Sequence, residues 1–174
     1  MTDIRIVSHA GLDGVFADWL LTPLGTLDDT EELVTAVKVA LLTDALAAVD
    51  DVLPDPDSTD RRGWWGDLGA EAIWNGWPIG SKNRLLTRAK ITDAGAREGS
   101  TLARAEQYAR NALRPFLEQR IASRIDVTAK GVGTERIDVL VVIYRGPKTA
   151  IQLLFQTLWD EIGPLGSAGR DALE

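Results

Sequence analysis

The sequence predicts an α+β fold, in which helices and an antiparallel sheet occupy separate parts of the chain. Apolar residues recur at helical spacing between residues 31 and 118, and the last third changes to a period of two. The 174 residues, 45% of them hydrophobic, suffice for one core. We therefore expect a single domain over residues 1–162, followed by a loose tail rich in Gly, Ser and Ala over residues 163–174.

The N-terminal third is expected to be extended up to the first helix. Residues 4–7 are a strand candidate, which we expect to join the same sheet as the C-terminal strands. Residues 15–27 lack helical spacing and contain a proline, so they predict extended backbone with a turn at Gly25. Thr30 is a candidate N-cap, followed by glutamates and by apolar residues at helical spacing. This pattern predicts a first helix over residues 31–42.

Two further helices are predicted beyond the central loops. Residues 50–60 and 69–80 are predicted loops, and Ser81 is a candidate N-cap for a helix over residues 82–91. Ser100 can cap a third helix, whose apolar face contains a proline that is expected to kink it. That face comprises Leu102, Ala105, Ala109, Ala112, Leu113, Phe116 and Leu117, with Pro115 inside the pattern.

The last third alternates in the manner of strands. Runs over residues 125–130, 137–144 and 151–156 are separated by the turn candidates 131–133 and 146–148. They predict an antiparallel three-stranded meander on a layer of about three helices.

The last predicted strand has an unusual composition for a sheet edge. Residues 149–157 contain no charged side chain, although charges commonly protect edge strands. This strand is therefore either central in the sheet or an edge that pairs with another chain. Trp159 is expected to pack near its end.

Charge is divided unevenly along the chain. Residues 1–60 hold 2 basic and 13 acidic side chains, a net charge of −11, whereas residues 61–174 hold 17 and 13, a net charge of +4. The acidic half argues against general nucleic-acid binding, which needs dense Lys and Arg. The first residues lack the basic start and the apolar run of a secretory signal. No apolar stretch approaches the roughly 20 residues of a membrane span. The division suits contacts with charged protein neighbours.

Catalytic and metal-binding chemistry is sparsely represented. The chain has no cysteine, which excludes disulfides, thiol nucleophiles and Cys-based zinc sites. His9 is the only histidine and lies in a stretch expected to be flexible, without a nucleophile placed near it. The acidic loop over residues 50–60 lacks the Gly and terminal Glu of a calcium-binding EF-hand, and Gly131-x-Gly133 lacks the rest of a phosphate loop. We therefore expect no metal and no cofactor.

Tryptophan is concentrated in one segment. Six of the 11 aromatic residues are Trp, and four of these lie between Trp64 and Trp77. Trp64 and Trp65 are consecutive, and neighbours in extended backbone point to opposite sides. Two compatible readings follow: one ring fills the core with the other lying against it, or the rings anchor a protein–protein contact.

Charged residues accompany these rings. Arg61 and Arg62 either pair with Asp60 or Asp67, which would hold the loop internally, or reach a carboxylate of a partner. The candidate partner-binding residues of this segment are Arg61, Arg62, Trp64, Trp65, Asp67, Trp74 and Trp77.

Five stretches of the sequence are similar to a known family. In these stretches the chain resembles the baseplate protein family of Mu-like contractile phages, which is related to the T4-type wedge and sheath-initiator (GPW-like) family. The resemblance covers about residues 4–160, and the string from Asp60 to Asp67 is its most specific part. The stretches are Leu41-Leu42-Thr43-Asp44, Asp50-Asp51-Val52-Leu53-Pro54-Asp55, Asp60-Arg61-Arg62-Gly63-Trp64-Trp65-Gly66-Asp67, Ile79-Gly80-Ser81 and Leu86-x-Arg88-x-Lys90-Ile91-Thr92.

The resemblance implies a structural role in the virion, at the tail baseplate, after assembly in the bacterial host cytoplasm. Such proteins are inner wedge subunits in sixfold assemblies. They contact a baseplate-J-like wedge protein, the tail sheath and other baseplate or tube proteins. Their small sheet resembles the sheath domain that exchanges strands with the next sheath layer, so sheath initiation is expected.

The wider family often carries a Glu-Pro-Arg motif between the long helix and the sheet. The equivalent place here is Glu118-Gln119-Arg120, which keeps the charges and lacks the proline. Glu118 and Arg120 therefore join the candidate partner-binding residues, as the resemblance implies.

Two alternatives to this role stay open. Some T4-type relatives are described as lysozymes, so a tail-associated peptidoglycan hydrolase is the enzymatic alternative. No recognisable lysozyme site is present, although 26 acidic residues offer many carboxylate pairs. The other alternative is an accessory protein of a prophage-derived contractile machine. We expect a protein that is not an enzyme.

Overall fold

The computed structural model describes residues 4–11, 14–28, 32–73, 76–89, 100–132 and 136–155. Within them the helices and the antiparallel strands occupy separate parts of the chain, which confirms the predicted α+β class. In chain order the elements are β1 (Ile6–Gly11), β2 (Gly14–Trp19), α1 (Glu32–Leu42), a 3₁₀ turn (Trp65–Gly69), α2 (Ala70–Ile73), a 3₁₀ turn (Asn83–Leu86), α3 (Thr101–Glu118), β3 (Arg124–Val132), β4 (Arg136–Arg145) and β5 (Lys148–Phe155).

The C-terminal strands form the predicted antiparallel meander, with β4 between β3 and β5. Alternate side chains of β4 are buried, as its period of two indicated. The β3–β4 ladder runs from Arg124 opposite Tyr144 to Val132 opposite Arg136. Gly131 and Val132, predicted as part of a turn, are therefore the last residues of β3, because each pairs with a β4 residue.

Strand β5, which contains the uncharged residues 149–155, lies at an edge of the sheet that the described residues form. A register shift separates Ile143 and Tyr144 along its ladder with β4, and Gly146 turns the chain between the two strands with a φ of +70°. Of the two positions considered for this strand, the central one is wrong. Trp159 lies outside the described residues.

The N-terminal strand does not join the meander, contrary to the prediction. β1 pairs in antiparallel fashion with β2, from Ile6 opposite Trp19 to Gly11 opposite Gly14. Two strands joined by a short connection lose little chain entropy when they pair, so the local hairpin is favoured over pairing with a distant strand. The described residues thus form two separate small sheets.

Two local predictions fall within this N-terminal region. His9 lies on β1 opposite Phe16, so its backbone belongs to a strand and not to the flexible stretch expected from the sequence. The turn at Gly25 is confirmed, because its φ is +75° and Leu21 bridges Leu27 on either side.

The two long helices lie where they were predicted and form the core with the meander. The hydroxyl of Ser100 accepts a hydrogen bond from the Ala103 N–H at 3.0 Å, which confirms it as the N-cap of α3. α3 continues through Pro115 to Glu118. The N-cap candidate Thr30 lies outside the described residues. The most buried core side chains are Val37, Leu41, Leu86, Ala109, Leu113, Ile137, Val139, Val141 and Ile143.

The predicted second helix is wrong over its described part, since only the 3₁₀ turn Asn83–Leu86 forms there. Ser81 caps no α-helix: its hydroxyl accepts from the Asn83 N–H of that turn at 3.3 Å and donates to the Leu41 carbonyl at the end of α1 at 2.9 Å. Its backbone forms a parallel bridge with Asp44. This tertiary pairing sets the chain direction, and the turn buries Asn83, Leu85 and Leu86 together.

The loop predictions are confirmed in one case and wrong in the other. Residues 50–60 contain neither helix nor strand, as predicted. Residues 69–80 contain α2 and the end of the first 3₁₀ turn. Nothing helical in the described part of the chain is long and apolar enough to cross a membrane.

Candidate partner-binding surface

The loop between α1 and the second 3₁₀ turn is anchored at both ends. The Ala45 N–H donates to the Ser81 carbonyl at 3.0 Å, and the Ser81 N–H donates to the Thr43 carbonyl at 2.9 Å. Gly80 is required here: its φ is +120°, and a Cβ would lie 2.7 Å from the Thr43 oxygen. The approximately 35 intervening residues are thus closed into one large loop.

Arg61 links two parts of this loop through its own chain. The Ala47 N–H donates to the Arg61 carbonyl at 3.0 Å, and the Arg61 Nε donates to the Ala47 carbonyl at 2.7 Å. The Arg61 Nη2 donates to the same oxygen. Arg84, nearly buried, donates to the Arg61 carbonyl at 2.8 Å. Arg61 therefore uses its guanidinium on backbone, and neither Asp60 nor Asp67 is its hydrogen-bonding partner.

Arg62 adopts the internal pairing that the sequence allowed. Its Nε donates to Asp60 Oδ2 at 2.7 Å, its N–H donates to Asp60 Oδ1 at 2.9 Å, and Asp44 Oδ2 lies 3.6 Å from its Nη1. The hydrogen bond from Arg62 is the main reason that the pKa of Asp60 is lowered. Both partners are exposed, so this pair shapes the surface more than it stabilises the fold.

The two consecutive tryptophans are brought into contact. Their ring centroids are 5.6 Å apart with the planes inclined at 50°. The opposite-sided arrangement expected from extended backbone is wrong, because Trp65 begins a 3₁₀ turn. Trp64 is half-buried over Gly66, where a Cβ would lie 2.5 Å from the indole, whereas Trp65 is 79% exposed. One ring packs and the other faces solvent.

Other large apolar side chains are exposed on the same closed loop. Leu68, three residues after Trp65, is 97% exposed. Leu46 lies against Gly63, with its Cβ 3.1 Å from where a glycine Cβ would stand. Monomeric proteins rarely concentrate such side chains without a use. We call the exposed residues Leu46, Val49, Val52, Arg62, Trp65 and Leu68 the loop surface.

Asp67 supports the loop from inside and does not pair with an arginine. Its Oδ1 accepts a hydrogen bond from the Ile79 N–H at 2.9 Å. Its Oδ2 is buried and has no hydrogen-bonding partner among the described residues. Asp67 thus ties the Trp-rich segment to the stretch that leads into Gly80.

Trp77 lies against the C-terminal half of α3. The Arg114 guanidinium is 5.4 Å from the centre of its ring, a cation–π distance. The Arg114 Nε also pairs with Glu118 Oε1 at 2.7 Å. Arg114 therefore connects two predicted site residues that are distant in sequence. Trp74, another predicted site residue, lies outside the described residues.

Arg120, two residues after the end of α3, has a strained backbone conformation. Its φ is +59°, in the left-handed region that favours glycine. The Arg120 N–H donates to the Leu117 carbonyl at 3.0 Å and the Ile121 N–H donates to the Phe116 carbonyl at 2.9 Å, the paired bonds of a Schellman motif. The exposed Arg120 side chain borders a shallow depression together with Leu117, Ile121, Ala122, Ser123, Arg145 and Gly146.

Residues that were not predicted hold much of this region together. Lys82 donates to Asp51 Oδ2 at 2.6 Å, and the same oxygen accepts from the Ala48 N–H at 2.6 Å. Burial of Asp51 opposes its ionisation, but these two bonds outweigh it, so the pKa of Asp51 lies below its ordinary value. Arg84 was missed likewise, because only tertiary contact gives it a role.

The acidic residues of the loop meet cations of the protein itself. Asp51 pairs with Lys82, and Asp55 lies 3.9 Å from Arg88. Within the described ranges, no group of three His, Cys, Asp or Glu side chains is arranged to hold a metal ion.

Comparison with known proteins identifies relatives of this chain. The model of the family described as phage protein GP46 matches residues 33–150, which include α1, the closed loop and most of the meander. The chain is 38% identical over 130 residues to the baseplate protein gp46 of Escherichia phage Mu, covering 75% of this chain and 78% of the relative. The resemblance to Mu-like baseplate proteins is confirmed: the chain belongs to the phage GP46 family.

Proposed function

We propose that this protein is a structural component of a contractile-tail baseplate and works by binding other proteins. The observation that carries the proposal is its membership of the GP46 family, whose relative in phage Mu is a baseplate protein. The exposed apolar loop surface supports it, since such a surface suits protein–protein assembly. The proposed location is the virion tail, reached after assembly in the host cytoplasm.

The loop surface is proposed to bind a baseplate-J-like wedge protein. Trp65 and Leu68 project into solvent from a loop that Arg61, Asp67 and Ser81 hold in shape. A preorganised loop loses little entropy on binding, so its exposed rings contribute more of their burial energy to affinity. Arg62 at its rim can exchange Asp60 for a carboxylate of the partner.

The meander is proposed to initiate the sheath by accepting a strand at β5. The other edge is partly covered: Glu106 Oε1 accepts from the Ala129 N–H at 2.9 Å, and Arg110 Nη2 donates to the Val127 carbonyl at 2.7 Å. Both backbone groups belong to β3 and face away from β4, so side chains of α3 occupy the places of a further strand. Growth of the sheet is therefore directed to β5.

Binding of a purified baseplate-J-like protein tests the loop surface. We expect Trp65→Ser with Leu68→Ser to weaken capture at least about tenfold, because two exposed anchors are lost without disturbing the core. Leu42→Ser with Val132→Ser, which alters exposed apolar residues outside the loop surface, is the matched control and should bind normally. Equal capture by both folded variants would remove the loop surface from the proposal.

Nucleated polymerisation of the sheath protein tests β5. By the alternation of the ladder, the Gln152 N–H points away from β4. Gln152→Pro should therefore prevent strand addition while keeping the β4–β5 bonds. Unchanged nucleation by a folded variant would contradict the proposal.

Lysis is the observation that would favour the peptidoglycan hydrolase instead. A turbidity assay on purified peptidoglycan should show no clearing by the wild-type protein. Clearing that is abolished by replacing one carboxylate would overturn the non-enzymatic role.

A further inference from the structure

The N-terminal residues form a unit that is bonded mainly within itself. Beyond the β1–β2 ladder, the Arg5 N–H donates to the Asp28 carbonyl at 2.7 Å and the Asp28 N–H donates to the Leu20 carbonyl at 2.8 Å. The Arg5 and Asp28 side chains pair at 3.2 Å. β1 and β2 pack chiefly against each other. We call residues 4–11 and 14–28 the N-terminal arm.

The arm exposes a dense group of large apolar side chains. Leu24 at the turn is 90% exposed, and the neighbouring strand ends contribute four more large residues. An apolar surface of this kind on a preformed unit indicates a docking function. The exposed residues are Trp19, Leu20, Leu21, Leu24 and Leu27.

The charge around this apolar group is negative. The arm holds two acidic side chains, Asp18 and Asp28, and one basic side chain that can pair with them, Arg5. Since Asp28 pairs with Arg5, the exposed charge of the arm is the carboxylate of Asp18. The surface that fits it is apolar with a basic rim.

The depression at the end of α3 has that character. Leu117 and Ile121 are partly exposed in it, and Arg120 and Arg145 border it. Arg145 donates to the Ile121 carbonyl at 3.2 Å, which holds it at the rim. Arg120 is exposed and its guanidinium pairs with no other described residue, so it is available to an incoming carboxylate.

We propose that the N-terminal arm of one copy docks into the depression at Arg120 of a second copy. The opposite charges of Asp18 and Arg120, together with the exposed apolar side chains on both surfaces, favour this occupant. The two surfaces differ, so the contact between copies is head-to-tail. Each copy has one arm and one depression, which allows a ring or an open chain of copies. The proposal deepens the assembly role and names a partner for Arg120.

Sedimentation velocity of the full chain tests this contact, at protein concentrations from about 1 μM to 500 μM and at low and high salt. Wild-type protein should associate with rising concentration, and more weakly at high salt. Leu21→Ser with Leu24→Ser in the arm, or Arg120→Glu in the depression, should weaken association at least about tenfold. Leu42→Ser and Lys130→Glu, exposed changes outside the arm, the depression and the loop surface, are the matched controls.

Mixing the two defective variants gives the sharpest outcome. The arm variant retains an intact depression, and Arg120→Glu retains an intact arm, so a mixture should form dimers that grow no further. Monomeric wild-type protein throughout, no effect of either variant, or no dimer in the mixture would each overturn the proposal. A wild-type protein that stays monomeric yet binds the wedge protein would leave the proposed baseplate role intact.

Discussion

Gly66 lies against the indole of Trp64 so closely that a Cβ at this position would stand 2.5 Å from the ring. The contact joins two residues of the string from Asp60 to Asp67. The glycine permits the 3₁₀ turn to fold back beneath the ring, and the ring then occupies the space over it.

Gly66→Ala should destabilise the protein. The new methyl group has to displace an aromatic ring, and overpacking of this kind costs about 1–3 kcal/mol of unfolding free energy. Urea unfolding followed by tryptophan fluorescence measures it. Leu68→Ala, at a 97% exposed position two residues on, should leave stability nearly unchanged. An unaffected Gly66→Ala protein would mean that Trp64 moves away without cost.

Arg61 and Arg62 should differ in their effects on stability although they are neighbours. Arg61→Ala leaves the carbonyl of fully buried Ala47 without its side-chain donors, at a cost of about 1–3 kcal/mol. Arg62→Ala removes an exposed pair with Asp60 and should cost less than about 1 kcal/mol. Chemical denaturation of both variants compares them, and equal losses would contradict the assigned contacts.

Much of the fold could be predicted from local sequence patterns. The predictions that were wrong concern residues whose structure is decided by tertiary contacts. Period-two alternation identified β3, β4 and β5, and the Ser100 cap with its apolar face identified α3. Ser81 has the same appearance as an N-cap, but pairing with the end of α1 decides its role. No local pattern distinguishes the two cases.

The composition of the sequence predicted which segment holds the candidate site, but only the contacts in the structure show the role of each residue. Arg61, Arg62, Trp64, Trp65 and Asp67 do lie on one closed loop, yet their sequence does not tell which of them face solvent. Trp65 faces solvent, whereas the Arg61 guanidinium donates hydrogen bonds to the Ala47 backbone carbonyl. The matching contributions of Lys82 and Arg84 come from another segment, so no spacing rule within the string reveals them.

Arg120→Gly should stabilise the protein while it weakens assembly. Glycine adopts the φ of +59° without the strain that arginine incurs, which we expect to add up to about 1 kcal/mol of stability. The same change removes the exposed guanidinium at the depression. Thermal unfolding and sedimentation measure the two effects separately. A destabilised variant would show that the arginine side chain supports the fold.

Acid should destabilise the closed loop through Asp51. Because the pKa of Asp51 is lower in the folded protein, its stabilising contribution is complete above the ordinary value of 3.8 and is lost as the pH falls through the lowered pKa. Asp51→Asn should therefore make stability less dependent on pH below that value. Urea midpoints measured across this range test it, with Asp57→Asn, an exposed carboxylate of the same loop, as the control.

Removing the side chains that close the β3 edge should both destabilise the sheet and make it self-associate. In Glu106→Ala with Arg110→Ala, the Ala129 N–H and the Val127 carbonyl lose their partners, at a cost of about 1–3 kcal/mol for each group that water does not reach. The exposed edge then accepts strands indiscriminately.

The matched control for that change is Gln107→Ala with Asn111→Ala. This pair has the same spacing on α3 and bonds across the helix surface at 2.8 Å. Light scattering and denaturant unfolding should show aggregation and lower stability for the first double variant alone. Similar behaviour of the two would mean that α3 closes β3 by covering it, and that the two hydrogen bonds contribute nothing further.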